Sequence, residues 1–197
     1  MTSILKVDSI AQSNGTTAAT INSSGQVTFP QAVTFTQPLT PNPQLAGSKV
    51  SLNGLANKDF TIPAGTNRFT ITLDAAEGPS NGYLCARLGT SGGIISANYL
   101  SHNSNFQSSS SGYGGASENA FRLTAWSNDN ADITGTMTFT HHGNNVWLMD
   151  APIISPYYPT YFIGFRGKIS LGAECTTVRI FPNTGNFDGG DCNLLFG

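Results

Sequence analysis

Short runs of alternating apolar and polar residues, cut by glycine, proline and asparagine, recur along the whole chain and constrain its fold more than any other feature. Arg68-Phe69-Thr70-Ile71-Thr72-Leu73 is the clearest case: Phe69, Ile71 and Leu73 fall on one face and the polar residues on the other. No stretch sustains the i, i+3, i+4, i+7 spacing of an amphipathic helix. β-branched residues and glycine punctuate nearly every window long enough to hold one. The pattern predicts an all-β chain.

Further strands are expected at 60–62, 83–88, 94–95, 99–100, 121–126, 135–140, 146–149, 161–169, 177–181 and 192–196, with Trp126 and Trp147 in the core. Turn signals fall between them at a spacing of roughly 8–12 residues, the mark of a jelly-roll-like antiparallel β-sandwich. Residues 101–117 are rich in Ser, Asn and Gly and are expected to form a long surface loop. Before the sandwich, Ile4–Ile10, Thr20–Asn22, Val27–Phe29 and Val33–Phe35 are short strand-like pieces, each too small to bury much alone. Pro38, Pro41 and Pro43 then rule out a central strand. The expected organisation is an N-terminal β arm at 1–36, a Pro/Gly-rich connector at 37–58 and the sandwich at 59–197.

Charge narrows the function. Only 10% of the 197 residues are charged, Lys+Arg 9 against Asp+Glu 11 for a net charge of −2, where a soluble domain carries roughly 25%. The nine basic residues are scattered along the sequence, so nucleic-acid binding is not expected. No apolar run approaches the ~18 residues of a membrane span, and the first residues lack a basic stretch followed by an apolar one, so neither membrane insertion nor a secretory signal is expected. Neutral polar surfaces meet copies of themselves with little repulsion. Together with short exposed strands, that composition predicts a homo-oligomer, a homotrimer first.

Two segments carry a family resemblance. Ile4-Leu5-Lys6-Val7-Asp8-Ser9-Ile10, followed by Thr20-Ile21-Asn22-Ser23-Ser24-Gly25-Gln26-Val27-Thr28-Phe29, resembles the N-terminus of bacteriophage virion proteins, notably of marine and cyanobacterial phages. Leu88-Gly89-Thr90-Ser91-Gly92-Gly93-Ile94, Trp147-Leu148-Met149, Gly167-Lys168-Ile169-Ser170-Leu171-Gly172, Val178-Arg179-Ile180 and the closing 187–196 resemble a β-sandwich domain of phage tail-fibre and related virion proteins. Cys175 and Cys192 depart from the pattern where Ser or a small apolar residue is expected, and Pro156-Tyr157-Tyr158-Pro159 is also unusual. The resemblance implies a structural protein on the surface of the phage particle, made in the host cytoplasm. Its arm would dock on other virion proteins of tail or capsid through Ile4, Leu5, Val7, Ile10, Ile21, Val27 and Phe29. As a fibre or knob it would touch the host envelope, including surface glycan, through loops at 103–117 and 156–161. As a capsid or tail decoration protein it would stabilise the shell without host recognition. A glycan-degrading tail enzyme is a distant third.

The residues themselves imply no catalytic group, cofactor or metal. His141-His142 are adjacent on a strand, so their imidazoles point to opposite faces and are expected to be surface strand-end residues, in preference to metal ligands. Asp188 and Asp191 flank Gly189-Gly190 and read as turn carboxylates bonded to local amides, in preference to a catalytic pair. Asp129-Asn130-Ala131-Asp132 lacks the downstream Gly and Glu of a calcium loop and reads as a polar turn. No Gly-x-Ser-x-Gly elbow, His-Glu-x-x-His helix or phosphate-binding glycine loop is present. Cys85, Cys175 and Cys192 are read as small buried hydrophobes in strands, with a Cys175–Cys192 bridge left open. Tyr157, Tyr158 and Tyr161, with Pro156 and Pro159, and Tyr113 in the Ser-rich stretch are candidate receptor or interface residues. A tyrosine ring buries large area at little entropy cost, which suits a sugar-binding tip and a subunit interface equally.

Overall fold

The computed structural model describes residues 9–11, 17–29, 48–79, 82–107, 116–117, 119–123, 132–155 and 161–197, with backbone alone at 9–11, 17–18, 103–107, 116–117 and 161–163. Every regular element among them is a β-strand, and every strand pair is antiparallel. The chain divides into two units, Met1–Asn42 and Pro43–Gly197.

In the first unit, β1 (Ser9–Ala11), β2 (Thr17–Ile21) and β3 (Val27–Thr28) form a three-stranded sheet in chain order. Asn22 closes the β2–β3 turn: its Oδ1 accepts the N–H groups of Ser24 and Gln26, both at 2.9 Å. Gly25, at φ +78°, occupies the left-handed position that turn requires. Among the described side chains of this sheet only Ala19 is buried.

The second unit contains β4 (Val50–Ser51), β5 (Lys58–Thr61), β6 (Arg68–Glu77), β7 (Leu84–Thr90), β8 (Gly93–Ile94) and β9 (Leu100–Gln107). β10 (Ala116–Ser117), β11 (Phe121–Arg122), β12 (Ile133–Gly143), β13 (Val146–Ile154), β14 (Tyr161–Ser170), β15 (Thr177–Pro182) and β16 (Gly189–Phe196) follow. They form a β-sandwich. The long sheet has the order β10-β9-β14-β13-β12-β6-β16-β4, and the short sheet β11-β7-β15-β5 with β8 on β7.

Alternation makes the core. Phe69, Ile71 and Leu73 of β6 and Met137 and Phe139 of β12 point inward from the long sheet, and Leu84, Ala86, Leu88, Val178 and Ile180 answer from the short one. Burying each such side chain contributes on the order of 1.5–3 kcal/mol. An aromatic chain crosses the gap. Phe69 stacks on Phe139 at 4.7 Å, Phe139 meets Phe121 of the short sheet at 5.8 Å, and Phe121 takes Tyr99 edge-on at 4.9 Å. Tyr99 is buried, yet its hydroxyl accepts the Leu88 N–H at 2.9 Å and donates to the Ile95 carbonyl at 3.0 Å. Burial pushes that phenol up to about 12.

Three expectations need correction. Residues 101–107 are not loop: β9 pairs with β14 along its whole length, and β10 pairs back onto β9. Their polarity hid a strand whose cohesion comes from the backbone ladder; Ser101 is buried there, accepting the Arg122 N–H at 3.2 Å. Residues 189–191 are not a turn but the start of β16, where the register against β6 shifts between Gly189 and Asp191. Asp191 accordingly pairs with Lys49 across the strand edge at 2.6 Å. Cys175 lies just before β15, not inside a strand, and all three cysteines are buried and unbridged. Burial raises each thiol to about 11, which leaves them protonated and unreactive near neutral pH. Trp147 is in the core as expected, while Trp126, Val33–Phe35, the prolines at 38, 41 and 43 and Asp129–Ala131 lie outside the described residues.

Candidate functional site

The residues singled out from the sequence are only partly described. Ile4, Leu5 and Val7 of the arm, and Tyr113, Tyr157 and Tyr158, lie outside the described residues. Ile10 stands opposite Ala19 in the β1–β2 ladder, and Tyr161 opens β14 opposite Gln107. Ile21 pairs with Val27 and is half-buried. Val27 and Phe29 are 51% and 50% exposed, a high value for side chains of their size.

His141 and His142 are separated by the pleat. His141 lies against the Trp147 ring at 5.3 Å with Nδ1 at 3.2 Å from Asn67 Oδ1, whereas His142 is exposed. Among the described residues no group of three or more His, Cys, Asp or Glu side chains is close enough to hold a metal ion.

The outward face of the long sheet is broad and nearly neutral. One cross-strand row runs Leu195, Thr70, Thr138, Asp150, Arg166, His102, and the next runs Arg68, Thr140, Leu148, Lys168, Leu100. Thr70 and Thr138 share a hydroxyl hydrogen bond at 3.2 Å, and Arg166 Nε donates to Asp150 Oδ1 at 2.9 Å. Leu100, at 68% exposure, with Leu148 and Ile154, adds isolated apolar points. A depression of about 410 Å³ lies along Thr138, Thr140, Leu148, Asp150 and Arg166.

The outward face of the short sheet is different. Arg122, Cys85 and Phe181 stand opposite one another on β11, β7 and β15, and Arg87 faces Arg179, which in turn faces Asp59. Three arginines, drawn from sequence positions 87, 122 and 179, thus share one surface of a chain with nine basic residues. Arg179 is held by Asp59 through two hydrogen bonds of 2.6 and 2.7 Å, a bidentate pair. Arg122 lies over the Tyr83 ring at 3.4 Å and Arg87 over the Phe181 ring at 4.7 Å. Between the stacked pairs is a pocket of about 270 Å³ lined by Tyr83, Cys85, Arg87, Ala120, Phe181 and Asn183, among others.

Sequence reasoning missed this pocket. Its members come from three separate segments, and the scattered arginines gave no run to notice. The available signal was positional: in Leu84-Cys85-Ala86-Arg87-Leu88 the outward residue of an otherwise apolar strand is a guanidinium.

A scan against protein-family models finds no match, and no curated protein or solved structure shows significant similarity to the chain.

Proposed function

We propose that the protein is a non-enzymatic structural component of a bacteriophage particle, a short fibre or knob carried on the virion by its N-terminal arm. The observation that carries this reading is the state of the first unit. Its three-stranded sheet leaves Val27 and Phe29 half-exposed and buries only Ala19 among its described side chains. A small sheet whose described side chains bury so little gains stability from a partner surface. The same segment bears the resemblance to phage attachment arms, and its exposed apolar positions, Val27 and Phe29 with half-buried Ile21, are ones the resemblance assigns to docking. The sandwich fits the role of the displayed part. Its chain moves between the two sheets at most connections, as in a jelly roll, and its nearly neutral outer face suits packing in a homotrimer.

A second reading, a decoration protein lying flat on the shell, draws on the breadth of that neutral face of the long sheet, where threonines alternate with isolated leucines. Copy number separates the two. Cryo-electron microscopy of intact particles with quantitative mass spectrometry is expected to find a few dozen copies or fewer, at the tail or a vertex. Hundreds of copies spread over the shell would establish the decoration role. Absence from purified particles would overturn both, and turnover of host glycan would overturn the non-enzymatic assignment.

A further inference from the structure

We propose that the pocket on the short sheet binds one carboxylated sugar residue, such as a uronic acid, with its carboxylate on Arg87 and its ring over the apolar floor. The case rests on the balance of donors and acceptors. Arg87 spends its Nε on the Asn119 carbonyl at 2.9 Å, and its terminal nitrogens meet no acceptor among the described residues. Asn183 spends its side-chain oxygen on the Tyr83 N–H, so what it has left to offer is its NH₂ group. The side-chain acceptor of Asn183 is therefore consumed by the protein, and the donors of Arg87 and Asn183 remain. No acid lines the pocket among the described residues. A cavity of this kind selects a group that only accepts, and a guanidinium edge matches a carboxylate with two parallel hydrogen bonds.

Charge adds to the preference. Arg122 stands opposite Cys85, two positions along β7 from Arg87, which makes the two guanidiniums diagonal neighbours roughly 7–8 Å apart at the backbone. Two guanidiniums on one side of the pocket favour an anion there over a cation. Both lie close enough to the Cys85 sulfur to oppose the effect of its burial.

The remaining lining distinguishes a sugar from a bare anion. The edges of the Phe181 and Tyr83 rings, whose faces Arg87 and Arg122 cover, present apolar surface, with Cys85 and Ala120 buried beneath them. Phosphate would leave that surface facing water, whereas the C–H face of a pyranose covers it. The size agrees: drug-sized ligands occupy roughly 300–1,000 Å³, so about 270 Å³ suits a single monosaccharide unit. This gives the host-contact role a ligand class, yet it is measured on the isolated protein, so its failure is distinct from a failure of the virion reading.

The test is a titration of the full ¹⁵N-labelled chain with trigalacturonate, followed by NMR at the Arg87 Nε and Asn183 Nδ2 resonances. Saturable shifts at both are expected. The fully methyl-esterified trisaccharide, inorganic phosphate and poly-glutamate are each expected to bind at least tenfold more weakly. Arg87→Met should cost at least tenfold in affinity with an unchanged unfolding midpoint. Should that variant fail to fold, Asn183→Ala, on an exposed side chain, should still lose several-fold. No saturable shift, equal binding of the ester, equal binding of phosphate or poly-glutamate, or full affinity in a folded Arg87→Met or Asn183→Ala protein would each overturn the proposal.

Discussion

At the scale of single residues, two backbone positions carry the irregular pairing of β6 with β16. Gly190 has φ +87°, and a Cβ there would run into the carbonyl of Ala75. Ala75 itself has φ +49°, the left-handed region that L-residues enter at a cost of about 1–2 kcal/mol. The two respond oppositely to substitution. Gly190→Ala meets both the wrong φ and a backbone collision, and is expected to destabilise the fold by more than about 2 kcal/mol. Ala75→Gly relieves strain but loosens the unfolded chain by about 0.5–1 kcal/mol, so it should be within about 1 kcal/mol of neutral. Chemical denaturation of the two variants checks both values. Beside this bulge, Glu77 has its pKa raised by burial first, then by the negative charges of Asp188 and Asp132. The folded chain thus holds a proton more tightly than the unfolded one, and Glu77 favours folding below the ordinary glutamate range and loses that contribution as pH rises through the raised pKa. Glu77→Gln is therefore expected to raise the unfolding midpoint near neutral pH and to change it little at about pH 3.5. A midpoint difference independent of pH would contradict the assignment.

At the scale of elements, β11 and β14 pack tightly against each other across the two sheets. Gly167 has no side chain, and an added Cβ would enter the Phe121 ring. Gly167→Ala is expected to cost about 1–3 kcal/mol by forcing the ring aside. Phe121→Leu in the same chain should recover part of that loss, and a double-mutant cycle measured by denaturation reads the coupling directly. The positions of elements were legible in the sequence wherever one face is buried: Phe69, Ile71 and Leu73 alternate strictly, and all three are core. β9 was not legible, because its Ser and Asn residues show no apolar alternation in the sequence, and it pairs along its length with β14. β13 also runs further than the pattern shows, to Ile154 through Pro152. Its ladder with β12 skips Thr136 and Met137, where Pro152 has no N–H to give, and a proline inside a strand reads as a stop in sequence. The arginine pocket was illegible for a related reason. Its residues meet only through the lateral register of β11, β7 and β15, and lateral register is not written in any one segment.

At the scale of the whole molecule, the docking role proposed for the arm carries with it a requirement for self-association. Val27 and Phe29 are each half-exposed, so covering what remains of both side chains contributes on the order of 2–3 kcal/mol. A millimolar complex already needs about 4 kcal/mol. These two side chains from a single chain therefore hold poorly to a particle. In the proposed trimer, three chains joined through their sandwiches would engage three such arms, and the effective concentration of the second and third would raise the avidity by roughly 10²–10⁴. The argument makes two measurements depend on each other. Native mass spectrometry of the wild-type chain is expected to give a trimer. The double variant Val27→Ser, Phe29→Ser should keep that trimer and its unfolding midpoint within about 0.5 kcal/mol, because exposed side chains contribute little to the fold. The same variant should be depleted at least tenfold from particles assembled in its presence. A stable monomer with normal incorporation would remove the need for avidity, and a variant incorporated as well as wild type would show that these two side chains do not dock.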